Sequence, residues 1–275
     1  MARDTYDVIQ QLRASGRPFA VATVVETRGS VSAKTASKAV IDERGRLVAG
    51  WVGGGCAEST TCHAALRCIE TGQPAMLEVD LDDEVLGAGM PCGGHMRVYV
   101  EPVLPRPALW ILGHGRVAEC LCAMADMLGY EIMVIDPLAD RERFPAASRL
   151  LADDHDYSTL TPAAGDYVVI ATQHKGDHLS MKRALASPVR YIALIASRKR
   201  SRLVLDYLRH EGLGEPELTR VMAPSGLDLG ARTPEEIALC VMSEIVLVRR
   251  GGSGVRMRDR LVDELARRRL TVAGA

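Results

Sequence analysis

The sequence predicts an α/β protein made of two domains, and three observations lead to this fold class. Short segments rich in Val, Leu and Ile alternate with helical patterns in the second half of the chain, as in a doubly wound parallel sheet. A proline cluster, Pro102, Pro105 and Pro107, separates that half from a glycine-rich first half with hairpin patterns. Hydrophobic residues make up 47% of the chain, which is enough to build a core in each half.

We place the domain boundary at this proline cluster. Residues 1–104 are predicted to form an N-terminal mixed α+β domain, and residues 105–250 a doubly wound parallel-sheet domain. Residues 251–275 are predicted to form a flexible Gly-Gly-Ser-Gly linker and a tail helix rich in arginine. That tail is either a solvated helix or a contact for a partner, and its sequence favours neither.

Hydrophobic periodicity predicts the elements of the first domain. Gly45 marks a hairpin turn, and Gly72 ends the second helix. The predicted helices are 4–16 and 57–70, and the predicted strands are 19–27, 40–42, 47–52, 76–81 and 96–103.

The second domain shows strands and helices in alternation. Thr233, Pro234 and Glu236 have the pattern of a capping box and open a long final helix. The other predicted elements are strands at 109–112, 132–135, 167–171 and 191–196 and helices at 116–128 and 177–186.

Charge and composition argue against several classes of protein. A formal net charge of -1 does not support non-specific electrostatic binding of nucleic acid. No apolar run is long enough to span a bilayer, and the first residues lack an apolar signal segment, so we expect a cytoplasmic location. Seven cysteines without zinc-type spacing indicate neither a disulfide framework nor a metal site.

A run of three glycines before the second helix is the first candidate site. The backbone N–H groups of Gly53, Gly54 and Gly55, together with the helix N-terminus, can form an anion-binding nest. The same field favours the thiolate of Cys56, which can then carry a persulfide or touch a metal-bound sulfur. The competing interpretation is a tight turn with a buried, inert cysteine.

A second glycine-rich loop, residues 87–94, contains Cys92 and Gly93. Because glycines let a ligand approach the backbone, Cys92 is a second candidate thiol. The alternative is a hairpin turn with an incidental thiol. The remaining cysteines lie in apolar helix patterns and are assigned to packing: Cys62, Cys68, Cys120, Cys122 and Cys240.

The segment Gly113-His114-Gly115-Arg116-Val117-Ala118 follows a predicted strand and opens a predicted helix, which indicates a Rossmann-like domain. Its glycines allow a pyrophosphate to approach, and Asp136, at the end of the next strand, can bind a ribose hydroxyl. Bulky His114 and Arg116 beside the phosphate position favour a repurposed site instead. Two interpretations therefore stay open: the turn binds a nucleotide, or it is vestigial.

Polar residues also follow two later strands, at the edge where doubly wound folds bind ligands. His174 and Lys175 are candidates for contact with an anion. Residues 197–200 follow the next strand in the same way, and the alternative is that they are the solvated start of a basic helix.

Several of these segments together resemble the XdhC/CoxI family, the accessory proteins of xanthine and carbon monoxide dehydrogenases. They run in the family's order over nearly the whole chain. The segments are Gly50 to Glu58, Met90 to Gly94, Glu101-Pro102, Gly113 to Ala118, Ala223 to Gly230 and Thr233 to Ala238. The resemblance implies a cofactor-handling domain followed by a Rossmann domain.

The resemblance also implies a function. Such a protein binds molybdenum cofactor (molybdopterin) as cargo, works with a cysteine desulfurase in its sulfuration, and delivers it to an apo-molybdenum hydroxylase. We therefore expect a homo-oligomeric maturation factor rather than a metabolic enzyme. Two alternatives stay open: an NAD(P)-dependent oxidoreductase that uses Gly113 and Asp136, and a scaffold that bridges desulfurase and apo-enzyme without holding cofactor.

Overall fold

A computed structural model describes residues 4–80, 94–172 and 177–262. The chain divides into two compact units, unit 1 (Met1–Arg106) and unit 2 (Pro107–Ala275), and the division falls within the proline cluster. Within those described ranges, no helix has the length and apolar composition needed to cross a membrane.

The described residues of unit 1 form an antiparallel sheet and two helices. Its elements are α1 (Thr5–Ala14), β1 (Phe19–Gly29), β2 (Lys38–Asp42), β3 (Leu47–Gly50), α2 (Cys56–Thr71), β4 (Ala75–Asp80) and β5 (Gly94–Val103). The strands lie in the order β3-β2-β1-β5-β4, and every neighbouring pair is antiparallel. The predicted mixed α+β composition of this half is confirmed.

The two helices of unit 1 pack on opposite faces of its sheet. α2 packs on a core that includes Ile41, Met96 and Val98, whereas Val8 of α1 packs with Phe19. This division follows from the alternation of side chains along each strand. Truncating a fully buried side chain of this size to alanine typically costs about 2–5 kcal/mol, so the core fixes the position of α2.

Unit 2 contains a parallel sheet with helices on both faces. Its elements are β6 (Ala108–Leu112), α3 (Arg116–Met127), β7 (Glu131–Ile135), β8 (Arg149–Leu151), β9 (Tyr167–Ile170), α4 (Asp177–Leu185), β10 (Ile192–Leu194), α5 (Arg198–His210), α6 (Glu215–Leu218), β11 (Val221–Met222) and α7 (Pro234–Arg250). The strand order is β11-β10-β9-β6-β7-β8, and all pairs are parallel. This arrangement, in which the strand order reverses beside β6, is that of a Rossmann sheet, and it confirms the predicted fold class.

The sequence patterns do not predict three short elements of unit 2. These are β8, α6 and β11, which have three, four and two residues. Elements this short contain too few residues to show a period of either 2 or 3.6. Pairing with neighbours in the sheet, rather than their own sequence, makes β8 and β11 strands.

The final helix, α7, is tied to the sheet through a buried polar contact. Its capping box is present as predicted, because Thr233 Oγ1 accepts from Glu236 N at 3.2 Å and Glu236 Oε2 accepts from Thr233 N at 3.0 Å. Further along, Glu244 Oε2 accepts from the Tyr191 hydroxyl at 2.6 Å and from Gly226 N at 2.9 Å. One carboxylate thus joins the helix, a buried tyrosine and the loop after β11.

A second carboxylate, the buried Asp154, organises the loop between β8 and β9. It accepts from the backbone N–H groups of Ser158 at 2.8 Å and Thr159 at 2.9 Å, and from both of their hydroxyls. Burial acts to raise the pKa of Asp154, but these hydrogen bonds outweigh it and lower the pKa to about 2. The loop is therefore held most firmly when this carboxyl is charged.

We expect Glu244→Ala to destabilise unit 2 by about 2 kcal/mol, because it leaves the buried Tyr191 hydroxyl without an acceptor. Tyr191→Phe should lower the free energy of unfolding by less, about 1 kcal/mol, since it removes the buried donor itself and leaves no unsatisfied hydroxyl. Urea unfolding monitored by Trp110 fluorescence measures both, in a Trp51→Phe background that leaves a single tryptophan.

The matched control is Glu211→Ala, which removes one partner of the exposed ion pair with Lys182. Such pairs contribute about 0–1 kcal/mol. If Glu244→Ala lowers the free energy of unfolding no more than the control does, Glu244 does not anchor α7.

Asp154→Asn should lower the free energy of unfolding by about 2 kcal/mol at pH 7. The folded pKa lies below the unfolded value, so this stabilisation is present above about pH 4 and is lost as the pH falls towards 2. Unfolding curves at about pH 7, 5, 4 and 3 measure the difference between variant and parent across this window. Asp153→Asn, at the exposed neighbouring position, serves as the control. A difference between Asp154→Asn and its parent that does not change with pH would rule out this explanation.

Candidate functional site

The three glycines before α2 form a turn that side chains would strain. Gly53 has φ +102° and Gly55 has φ +60°, both in the region that favours glycine. Trp51 N donates to Lys38 O at 2.7 Å, which fixes the chain just before the turn to β2. The predicted glycine run is therefore a defined structural turn at the N-terminus of α2.

The turn has free space beside it and backbone amides without acceptors. None of the residues that the structure describes places a heavy atom within 4 Å of a Cβ atom built at Gly54 or Gly55. Within the described ranges, the backbone N–H groups of Gly54, Gly55 and Ala57 have no acceptor, and the first helical bond runs from Ser59 N to Gly55 O. Unbonded amides at a helix N-terminus are the groups that can donate to an anion.

The loop after β1 borders the same turn. A Cβ atom at Gly53 would lie 3.9 Å from Ser32 Oγ and 3.9 Å from Ala33 Cβ. Gly94 packs closely against the backbone of Arg28 and Ser30, where β1 ends and that loop begins. The predicted candidates Cys92 and Gly93 lie outside the described residues.

The cysteines differ in their surroundings. Cys56 is half-buried at the first position of α2. Burial raises the pKa of the thiols of Cys62, Cys68 and Cys120, and it raises the pKa of Cys122 to about 11. These four thiols are suited to packing, as predicted, and Cys56 is the described cysteine beside the open turn.

The glycine turn of unit 2 follows β6, where the strand order reverses. Gly113 has φ +139°, and a Cβ atom there would lie 2.4 Å from the carbonyl oxygen of Ala171, just after β9. Only glycine allows this approach. Gly115 is the N-cap of α3 and supplies no side-chain cap.

The predicted ribose ligand, Asp136, lies beside the histidine of this turn. His114 Nδ1 is 2.8 Å from Asp136 Oδ1, with about a fifth of the His114 side chain exposed. The same Oδ1 accepts from Leu138 N at 2.8 Å. The structure brings these two predicted residues into direct contact with each other.

Arg116, also predicted as a site residue, has its charge balanced by two carboxylates. Its guanidinium lies 3.2 Å from Glu119 and 2.9 Å from Glu235 of α7. Arg143 pairs with Glu119 at 2.6 Å and donates to the carbonyl of His114. Sequence reasoning missed Glu119, Arg143 and Glu235, because contacts across the fold leave no local pattern.

The edge formed by the ends of β9 and β10 is described in part. Thr172, after β9, is buried, and Ser197 caps α5 by accepting from Arg200 N. The predicted candidates His174 and Lys175 lie outside the described residues. Unit 1 thus has a glycine turn with unbonded amides beside a thiol, and unit 2 has a Rossmann turn beside a carboxylate.

Comparison with known proteins assigns each unit to a family. The chain matches a model described as the XdhC and CoxI family over residues 12–80, and one described as the XdhC Rossmann domain over residues 109–245. A crystal structure of a xanthine dehydrogenase from Bacillus halodurans aligns with 90% of this chain and 96% of that chain, with a TM-score of 0.48 and 20% identity.

Three relatives cover much of the chain. Protein YqeB of Escherichia coli is 31% identical over 251 residues, or 89% of this chain and 46% of that protein. A protein of Bacillus subtilis, described as a probable component of xanthine dehydrogenase, is 26% identical over 159 residues, or 56% of this chain and 46% of that protein. Molybdenum cofactor insertion chaperone PaoD of Escherichia coli is 23% identical over 287 residues, covering 86% of this chain and 85% of that protein.

The chain therefore spans about half the length of the first two relatives and most of the third. The two family matches follow the order of the two units. The chain belongs to the XdhC/CoxI family.

Proposed function

We propose that this protein carries molybdenum cofactor to a molybdenum hydroxylase and assists the sulfuration and insertion of the cofactor. The observation that carries the proposal is the open glycine turn before α2, with Cys56 in the first helical turn. Membership of the family and the likeness to PaoD, a cofactor insertion chaperone, support it.

The cargo has a terminal phosphate that suits the nest. The unbonded amides of Gly54, Gly55 and Ala57 donate to an anion, and the positive end of α2 adds to the attraction. A helix terminus contributes about 0.3–1 kcal/mol to an exposed anion, and up to about 2 kcal/mol when partly buried. Because this contribution is small, it favours the cargo without preventing its release, as a carrier requires.

Cys56 is placed to handle sulfur for the same cargo. Its thiolate can attack the terminal sulfur of a desulfurase persulfide, so that a new S–S bond forms on Cys56 and the desulfurase thiolate leaves. The total number of S–S bonds is unchanged, and no further oxidant or reductant is needed. Cys56 then holds the sulfur next to the amides that bind the phosphate.

The partners required by this proposal are an apo-molybdenum hydroxylase and a cysteine desulfurase. A scaffold that joins these two without holding cofactor is the alternative. It differs from the carrier in one measurable respect, the amount of pterin bound to the purified protein.

Gly54→Ala is expected to lower the amount of bound pterin about tenfold, which corresponds to about 1.4 kcal/mol of binding free energy. The new methyl group projects into open space above the amides, and the backbone at Gly54 is not in the left-handed region. Acid-released pterin fluorescence, measured on protein from cells that make the cofactor, gives the occupancy.

Gly165→Ala is the matched control, because a Cβ atom at that exposed position in unit 2 also meets nothing within 4 Å. It should carry as much pterin as the wild-type protein. Wild-type protein that carries no pterin at high cofactor supply would contradict the carrier function and favour the scaffold.

Cys56→Ser should abolish activation of the client hydroxylase in cells while leaving the fold intact, because serine keeps the size but not the sulfur chemistry. Cys62→Ser, further along the same helix, is the control and should support activation. Mass mapping should also show that Cys56 is alkylated before Cys62, Cys68, Cys120 and Cys122, since burial raises the pKa of the latter four. Full activation by Cys56→Ser would make Cys56 a packing residue.

A further inference from the structure

Helix α5 begins with a cluster of cations that the helix itself disfavours. Arg198, Lys199, Arg200 and Arg202 lie close together, and the first turn of α5 contains no acidic side chain. The N-terminus of a helix carries a partial positive charge, so cations there lower the stability of the helix. Arg198 and Arg202 also stand four residues apart, where like charges repel each other. The stability of α5 therefore does not explain this placement of charge.

Three of these cations are not neutralised by neighbouring side chains. In the part of the chain that the structure describes, Arg198, Lys199 and Arg202 are exposed and form no ion pair. The acid further along the helix, Asp206, pairs with Arg209 at 3.3 Å instead. The start of α5 thus keeps a local positive charge although the formal net charge of the chain is -1.

Two large side chains lie exposed beside the cations. Leu203 and Tyr207 follow Lys199 by four and eight residues, so the three share one face of the helix. Leu203 is 61% exposed and Tyr207 is 38% exposed. On the other side of α5, Leu208 is fully buried in the core of unit 2, so the exposed face is not needed to hold the helix.

The exposed face just described is called the α5 surface, and its residues are Arg198, Lys199, Arg202, Leu203 and Tyr207. We propose that the α5 surface binds the client hydroxylase, at a patch where carboxylates of the client surround an apolar pocket. This inference rests on the carrier function proposed above and names the surface that meets the partner.

The composition of the α5 surface favours a protein partner. An apolar centre with a polar rim is the usual anatomy of a protein–protein interface, and tyrosine and arginine are enriched there. The phosphates of a nucleic acid would attract the cations but leave Leu203 without a partner. Binding to a membrane increases with the apolar area that is buried, and Leu203 and Tyr207 supply little of it.

The two kinds of side chain should act on different rates. Charges at the rim of an interface steer the encounter, so they set the association rate and its dependence on salt. A buried apolar contact forms after the encounter and mainly sets the dissociation rate. Arg198 and Lys199 should therefore control how fast the client binds, and Leu203 how long it stays.

The test is biolayer interferometry of the full chain against the purified apo-molybdenum hydroxylase of the same organism. Arg198→Glu with Lys199→Glu should lower the association rate at least about tenfold at about 50 mM salt, and by less than about twofold at about 0.5 M salt. Leu203→Ser should raise the dissociation rate about fivefold.

The matched control is Arg149→Glu with Arg190→Glu. It changes the net charge by the same amount, at two exposed arginines elsewhere in unit 2, and should bind like the wild-type protein. The α5 double variant should melt no lower than the wild-type protein, because carboxylates suit the first turn of a helix. If it does melt lower, Arg198→Gln with Lys199→Gln takes its place.

Hydroxylase binding that is unchanged in the α5 variants, or no binding by the wild-type protein, would overturn the proposal. So would an equal loss of binding in the matched control. Vesicles of phosphatidylglycerol and a DNA duplex serve as further probes, and binding to either in place of the hydroxylase would assign the α5 surface to that class of partner and overturn the protein one.

Pterin content separates this result from the test of the carrier function. It should stay at the wild-type level in every α5 variant, because the cargo is proposed to bind in unit 1. Normal pterin with unchanged hydroxylase binding would overturn the α5 surface alone. Wild-type protein without pterin would contradict the carrier function, whereas loss of hydroxylase binding in the α5 variants would still support the surface, as part of a scaffold.

Discussion

Both candidate sites depend on backbone that only glycine can supply. In unit 1, Gly53 and Gly55 have positive φ angles, and the chain turns at these glycines just before α2. In unit 2, Gly113 lets β6 pass within contact distance of the Ala171 carbonyl, which a Cβ atom would prevent. The helices that follow, α2 and α3, pack on their sheets through buried cores, so each turn is held by the larger structure behind it. The functional positions are thus consequences of packing as much as of local sequence.

The order of predicted strands and helices was sufficient to identify the Rossmann fold, because parallel strands with crossover helices leave a strong alternating pattern in the sequence. The same reasoning located the glycine turns, since Gly53 to Gly55 and Gly113 to Gly115 stand directly between a strand and a helix. It could not locate β8 or β11, whose strand character depends on neighbouring strands. It also could not show that His114 meets Asp136, because the two are separated by a helix and a strand and come together only in the folded sheet.

Charge at the second turn is balanced by ion pairs within unit 2. Glu119 accepts from both Arg116 and Arg143, and Glu235 of α7 also pairs with Arg116. These four side chains lie on α3, α7 and the loop after β7. Contacts from three elements therefore support the turn between Gly113 and Gly115. An interpretation of the sequence that counts Arg116 as a free cation beside the phosphate position overlooks this compensation, since one of its two carboxylate partners, Glu235, lies on another element.

The position of α7 also bears on how the protein forms during synthesis. Unit 1 has all its strands once Val103 has been added to the chain. In contrast, Ala238, Val241 and Ile245 of α7 complete a core that contains the central strands β6 and β9. Unit 2 therefore exposes part of one apolar face of its sheet until α7 has left the ribosome. The first unit can fold as it emerges, whereas the second must wait, and over that interval its unfinished face is open to aggregation or to capture by a folding helper.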